Sequence, residues 1–173
     1  MTFETDVIAG LAPLRRYARA LTGDAAWADD LVQDTAERAL VRAGAFRKGT
    51  NLRAWLFTIL RNLYIDQFRA RREFTVDDET APWRTMETPH REIDGLVLRD
   101  VQRALYHLPL EQREALLLVC VEELSYLEAA AVLDVPIGTI MSRLARAREH
   151  MRMLLGGEPA RKSTPLKVVR KTP

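Results

Sequence analysis

Residues 125–148 read SYLEAAAVLDVPIGTIMSRLARAR and contain the signals of two short helices joined by a turn. Ser125 and Glu128 have the spacing of a capping box, in which each side chain bonds the other residue's backbone amide and fixes a helix start. The first helix is predicted to end by Leu133, because Pro136 lacks an amide hydrogen and cannot continue it. The second helix then begins two or three residues after this proline. The stretch is therefore predicted to be a helix-turn-helix.

The second helix of this motif is predicted to have two different faces. Hydroxyl side chains stand at its N-terminal end and arginines follow along one side. Such a helix suits the major groove of DNA, where the first side chains reach base edges and the later arginines reach phosphates. An ordinary corner between two helices, with an exposed arginine face, is the alternative interpretation. The inward stripe is Ile140, Leu144, Ala147 and Met151, and the DNA-facing residues are Thr139, Ser142, Arg143 and Arg146, flanked by Arg148 and Arg152.

Helical periodicity also dominates the first 72 residues. Apolar positions recur at intervals of three and four over three stretches, near 3–21, 24–42 and 52–72. Asp24 is predicted to cap the second helix, whereas Pro13 is expected to kink the first helix or to delay its start. No segment alternates with period two for long enough to indicate a sheet, so the predicted fold class is all-α. The stripes predicted to face inward are Val7, Ile8, Leu11, Leu14, Tyr17, Ala18 and Leu21, then Ala28, Leu31, Val32, Thr35, Ala36, Ala39 and Leu40, and then Leu52, Trp55, Leu56, Ile59, Leu60 and Leu63.

Charge and composition divide the 173 residues into four segments. The net charge is +4 over residues 1–72, −5 over 73–94, −1 over 95–156 and +4 over 157–173. The second segment combines acidic residues and threonines with two prolines, which is typical of a linker. The last segment is basic, broken by glycine and proline, and predicted to be disordered. The chain is thus predicted to form two small helical domains joined by an acidic linker. The alternating charge indicates separate faces for separate partners, one of which could be a polyanion, although solvated surface would give the same pattern.

Several classes of protein are excluded by what the sequence lacks. The single cysteine, Cys120, rules out a disulfide framework and a cysteine-cluster metal site, and the three histidines lack metal-ligand spacing. We therefore expect neither a metal nor a cofactor. No nucleophile–base pair or phosphate-binding loop is visible, so we do not expect an enzyme. The N-terminus lacks the pattern of a signal peptide, and no apolar run is long enough for a membrane span. We expect a cytoplasmic protein without membrane insertion.

The helix near 24–42 carries an acidic face between its apolar positions. Its residues are Asp29, Asp30, Gln33, Asp34 and Glu37. Like charges one turn apart weaken an isolated helix slightly, so such a face has a small structural cost. This favours a basic protein partner over a merely solvated face.

The helix near 52–72 carries a different set of polar residues. Arginine together with asparagine at helical spacing can bind phosphate and hydrogen-bond an exposed base. The nearby aromatic residues could stack on bases, but at helical spacing they more often belong to the core. The polar set includes Arg61, Asn62, Asp66, Arg69 and Arg72, and the aromatic residues are Trp55, Phe57, Tyr64 and Phe68.

Two separate motifs resemble one protein family. DDLVQDT (29–35) and LRAWLFTILRNLYID (52–66) are similar to region 2 of the extracytoplasmic-function (ECF) group of bacterial sigma-70 factors. LPLEQRE (108–114), followed by the helix-turn-helix, is similar to their region 4. The resemblance covers residues 8–155, with the motifs in the family's order. FRKGTNL (46–52), together with the run from Phe57 to Asn62, most resembles the general-stress-response branch.

This resemblance implies an alternative sigma factor, a promoter-specificity subunit of RNA polymerase with no catalytic activity of its own. Region 2 would occupy 1–72 and region 4 would occupy 95–156. The implied partners are core RNA polymerase, promoter DNA and an anti-sigma factor. The implied contacts are Asp29, Asp30, Gln33 and Asp34 with core polymerase; Arg61, Asn62, Asp66, Arg69 and Arg72 with the −10 element; and Ser125, Thr139, Met141, Ser142, Arg143, Arg146 and Arg148 with the −35 element.

Two departures from the family pattern and one alternative function accompany this interpretation. Asp134 stands where the family's turn usually has glycine, and Met141 stands where a basic or small polar residue is common. Aspartate tolerates a left-handed backbone better than most residues, so the turn is expected to form. The alternative function is a sigma-like decoy that binds an anti-sigma factor in a partner switch. Such decoys usually carry a receiver domain, for which 173 residues leave no room.

Overall fold

The computed structural model describes residues 2–74 and 95–156 of the chain. Within these ranges it contains helices and no strand, which confirms the predicted all-α class. A 3-10 turn, Ala43–Ala45, follows the second helix. The α-helices are α1 Phe3–Thr22, α2 Ala25–Val41, α3 Leu52–Phe74, α4 Gly95–His107, α5 Leu110–Leu116, α6 Tyr126–Leu133 and α7 Ile137–Leu154.

Local capping residues decide where the first two helices begin. The Thr2 hydroxyl accepts a hydrogen bond from the Thr5 amide, and α1 then runs continuously through Pro13. The prediction that this proline could delay the helix start is therefore wrong, because the cap at Thr2 lies eleven residues upstream. Asp24 caps α2 as predicted, with its Oδ1 accepting from the Trp27 amide at 2.8 Å. A side-chain oxygen at this position satisfies an amide that the helix leaves without a partner.

The predicted stripes form the core with a few exceptions. Most predicted inward residues of α1, α2 and α3 are buried, as are the aromatic residues Phe57 and Tyr64. Ile8 is 65% exposed and Leu40 is 45% exposed, so their predicted inward orientation is wrong. Each lies next to a buried residue of the stripe and is therefore turned about 100° away from it. Met151, at the end of the α7 stripe, is only half-buried.

The helix-turn-helix forms as predicted, with one shift. The Ser125–Glu128 capping box is complete, and Asp134 ends α6 in the left-handed conformation with φ 53°. The α7 helix begins at Ile137, directly after Pro136 and one residue earlier than predicted. Upstream of the motif, α5 is continued by a π-helical turn, Leu117–Val121.

The helices before and after the predicted linker pack together, an arrangement that the sequence did not predict. The core residues of α1–α3 and of α5–α7 belong to one continuous apolar cluster. The α3 helix packs against α6, while α1 contacts α4, α5 and the π-helical turn. The predicted linker was to start at residue 73, but α3 continues to Phe74. The predictions made for 75–94 and for the tail 157–173 lie outside the described residues.

Candidate nucleic-acid interface

The four residues of α2 that are predicted to contact core polymerase, Asp29, Asp30, Gln33 and Asp34, are mostly exposed, and we call these four the acidic face. The Asp29 carboxylate accepts a hydrogen bond from Arg15 Nε at 2.9 Å. Asp34 differs from the other three, because it is half-buried and accepts a hydrogen bond from Gln67 Nε2 at 3.2 Å. Asp34 therefore also joins α2 to α3, whereas Asp30 is exposed and can serve a partner without a role in packing.

The polar residues predicted on α3 divide into two groups. Asn62, Asp66 and Arg69 are exposed and spaced by four and three residues, so they form one stripe along the helix. We call this set the α3 stripe. Arg61 lies to one side of it, is half-buried, and donates through Nε to Glu114 Oε1 at 2.9 Å. The side chain of Arg72 lies outside the described residues. The structure thus brings three predicted −10 residues together and separates Arg61 from them.

Three of the residues predicted to contact the −35 element, Met141, Ser142 and Arg146, are exposed on α7, and we call these three the α7 face. Thr139 is half-buried, and its carbonyl oxygen accepts a hydrogen bond from Ser142 Oγ at 3.0 Å. The lone pairs of the serine hydroxyl can still accept from a base. Ser125, also predicted to contact DNA, is exposed, but its hydroxyl serves the capping box.

Arg143 and Arg148 lie beside the α7 face and each has a partner within the protein. Arg143 was predicted on the exposed face, and this placement is wrong: its side chain is 16% exposed and its Nη2 lies 3.3 Å from Glu111 Oε2. Arg143 lies at the border between the exposed side of α7 and the buried stripe that contains Leu144, and its guanidinium turns toward Glu111 of α5. Arg148 is exposed and donates to the Cys120 sulfur at 3.8 Å.

Two buried carboxylates are important parts of the structure that the sequence reasoning missed. The side chains of Glu114 and Glu122 are each 1% exposed, and both bond arginines from the other side of the predicted linker. Burial raises the pKa of the Glu114 carboxyl, and the charge of Arg61 opposes that rise. One signal was available, since the two glutamates flank the apolar run 115–121, which is unusual for unpaired acids.

The surroundings of these carboxylates are largely dry. Burial raises the pKa of the Tyr17 hydroxyl well above its ordinary value, with a second contribution from the charge of Glu114. Burial also raises the pKa of Tyr64 to about 12 and lowers the pKa of Arg113. Charges in such surroundings require close partners, because water does not screen or hydrate them well.

The described part of the chain gives no indication of a metal or membrane protein. Within residues 2–74 and 95–156, no group of three or more histidine, cysteine, aspartate or glutamate side chains could hold a metal ion. None of the helices described in these ranges has the length and apolar character needed to cross a bilayer.

Known protein families match both halves of the chain. Residues 7–61 match the model of the sigma2 domain of PhyR, and residues 98–151 match the model of sigma-70 region 4. The ECF RNA polymerase sigma factor EcfG of Rhodopseudomonas palustris is 43% identical over 150 residues, which cover 87% of this chain and 83% of that protein. SigC of Mycobacterium tuberculosis, another ECF sigma factor, is 37% identical over 81% of this chain and 75% of its own.

A solved structure agrees with these sequence matches. The sigma factor RpoE of Bartonella quintana, crystallised with the anti-sigma factor NepR, superposes with a TM-score of 0.76 at 36% identity. The match covers 88% of this chain and 96% of that one. The fold and the two domain matches together define a two-domain sigma protein of regions 2 and 4. The chain belongs to the ECF group of sigma-70 factors and is EcfG-like within it.

Proposed function

We propose that this chain binds core RNA polymerase through the acidic face of α2, the −10 element through the α3 stripe and the −35 element through the α7 face, and has no catalytic activity of its own. The observation that carries the proposal is the position of these three exposed polar sets on the two sigma domains. The side chains of each set are chemically complementary to the proposed target. Carboxylates suit a basic protein surface, Asn62 and Arg69 suit an unpaired base with its phosphate, and Ser142 and Arg146 suit a major groove.

We further propose that an anti-sigma factor regulates the chain. RpoE, which matches over 96% of its length, was crystallised with the anti-sigma factor NepR. An anti-sigma protein that covered the acidic face would silence the factor, since that face is the proposed contact with core polymerase. The sigma-like decoy is a second candidate because the region 2 match is to a domain of PhyR, which has been crystallised as an anti-anti-sigma factor with the anti-sigma factor NepR.

In vitro transcription with core polymerase on a promoter library tests the proposal. We expect specific initiation that depends on both promoter elements. Transcriptional silence combined with tight binding to an anti-sigma protein would instead support the decoy.

Arg143→Ala is expected to weaken binding to −35 duplex DNA by about 1–3 kcal/mol if the guanidinium leaves Glu111 and reaches a base edge. The loss should depend on the base at one position of the element. Binding to a panel of −35 variants measures it, with Arg103→Ala on the exposed surface of α4 as the control. An equal loss on every variant would show that Arg143 contacts a phosphate instead.

Arg148→Ala is expected to weaken −35 binding evenly across sequences and to lower the salt slope by roughly one unit, because one phosphate contact releases about one counterion. The measurement is the dissociation constant at four or more salt concentrations. Cys120→Ser is the matched control, since it changes the sulfur that Arg148 contacts and keeps the cation. A salt slope equal to that of the unmodified protein would remove Arg148 from the interface.

A further inference from the structure

The α7 helix carries a row of exposed apolar residues beside its polar ones. Ile137, Met141 and Ala145 are exposed and follow one another at intervals of four residues, so they lie along one side of the helix. Ile137 is 43% exposed and Met141 is 50% exposed. Ser142 and Arg146 lie one position further along the chain and form a second exposed row. We call the first row the apolar strip.

The apolar strip is not part of the protein core. The core is contacted by a different side of α7, on which Ile140, Leu144 and Ala147 are buried. The exposed half of the Met141 side chain therefore leaves apolar surface in water. Removal of this surface from water by a partner would be favourable, which indicates that the strip serves a contact outside the chain.

The position of the strip on α7 matches the part of a helix-turn-helix that reads bases. The N-terminal residues of the second helix contact base edges in such motifs. Met141 is the fifth residue of α7. Arg148 follows in line with the strip about two turns later, and Arg146 follows Ser142 by one turn. Arginines at these positions can bind phosphates and fix the register of the helix, which would hold Met141 against the bases.

The chemistry of methionine limits what Met141 can recognise in the major groove. Its side chain has no hydrogen-bond donor, and its sulfur is only a weak acceptor. The base edges in this groove carry hydrogen-bonding groups, and the apolar exception is the C5-methyl group of thymine. A thymine methyl is therefore the group that the exposed end of Met141 fits best.

We propose that Met141 determines specificity at one position of the −35 element by packing against the C5-methyl group of a thymine. This inference rests on the proposed function and names the base that the α7 face reads. Ile137, one turn earlier, extends the same apolar surface toward the start of the helix. The −35 element selected from a promoter library should accordingly contain an A·T pair at the position that Met141 faces.

Replacement of thymine by deoxyuridine tests this contact, because deoxyuridine lacks the C5-methyl group and keeps the O4 acceptor. The measurement is binding of the holoenzyme, reconstituted from the full chain and core polymerase, to promoter duplexes that carry one replaced thymine on either strand of the −35 element. We expect one position at which the replacement weakens binding about fourfold, the effect of exposing one methyl group. In Met141→Ala the same replacement should have almost no further effect, because the contact is already lost.

Two other variants separate a methyl contact from a general loss of structure. Met141→Leu should keep the sensitivity to deoxyuridine, since leucine is apolar and similar in volume. Met153→Ala is the matched control, because Met153 is 55% exposed on the same helix, about 18 Å further along its axis. This control should bind the promoter with unchanged affinity and sensitivity. Since Met141 and Met153 are both exposed, all three variants are expected to keep the unfolding temperature of the unmodified protein.

Several results would overturn the thymine contact. Deoxyuridine could be without effect at every thymine, or equally harmful in Met141→Ala, or the selected element could lack an A·T pair. Unchanged promoter binding by Met141→Ala, combined with weaker binding to an anti-sigma protein, would assign the strip to that protein instead. Each of these results leaves the proposed function intact if holoenzyme binding depends on the −35 element. Binding that does not depend on this element would refute the proposed −35 function itself.

Discussion

Asp30→Lys is expected to leave the chain folded and to weaken its binding to core RNA polymerase by several kcal/mol, because reversal places like charges together at the proposed interface. Asp30 is exposed, so its effect on the free energy of unfolding should stay below about 0.5 kcal/mol. Binding to core polymerase and thermal unfolding are the two measurements. The loss of affinity should shrink as salt rises, since salt screens exposed charges.

Asp100→Lys is the matched control for this reversal. Asp100 is exposed on α4, and the substitution changes the net charge equally at a site distant in sequence from the acidic face. Asp34 is less suitable for the test because its hydrogen bond from Gln67 joins α2 to α3. Wild-type affinity in a folded Asp30→Lys protein would contradict docking through this face.

Asn62→Ala is expected to impair promoter opening by one to two orders of magnitude while leaving core polymerase binding unchanged. The exposed Asn62 amide offers both a donor and an acceptor to an unpaired base, and losing a bidentate contact of this kind costs about 1–3 kcal/mol. Permanganate reactivity of the −10 region measures opening directly. A template with a premelted −10 bubble should restore much of the lost transcription, because the −10 region of this template is already open. Normal melting on duplex DNA would remove Asn62 from the proposed site.

The structural features that the sequence predicted well are helix caps and turns, which depend on residues close together in the chain. Asp24 and Ser125 each bond an amide three residues away, and Pro136 ends a helix by its own covalent structure. Even Asp134, a departure from the family pattern, adopts the expected left-handed turn. Such choices depend on a few neighbouring residues, so they can be read without knowledge of the fold.

Periodicity predicted the core less completely than the helices. A 3.6-residue repeat locates the centre of an apolar stripe, and Leu14 and Leu31 are buried as expected. The edge of the stripe depends on how closely the next helix approaches, so Ile8 and Leu40 were misplaced. The orientation of Arg143 was missed for the same reason, since its position is decided by packing against α5 and by Glu111.

By itself, the sequence determined the all-α class, the caps of α2 and α6, the helix-turn-helix and the two regions of the family. Only the tertiary structure decided which charges are paired. Arg61 and Glu114 are 53 residues apart, and Arg16 and Glu122 are 106 apart, so no local spacing links them. A polar residue looks the same in sequence whether it faces water, DNA or a buried partner. Burial makes the difference, because a carboxylate removed from water must find a cation or lose its charge.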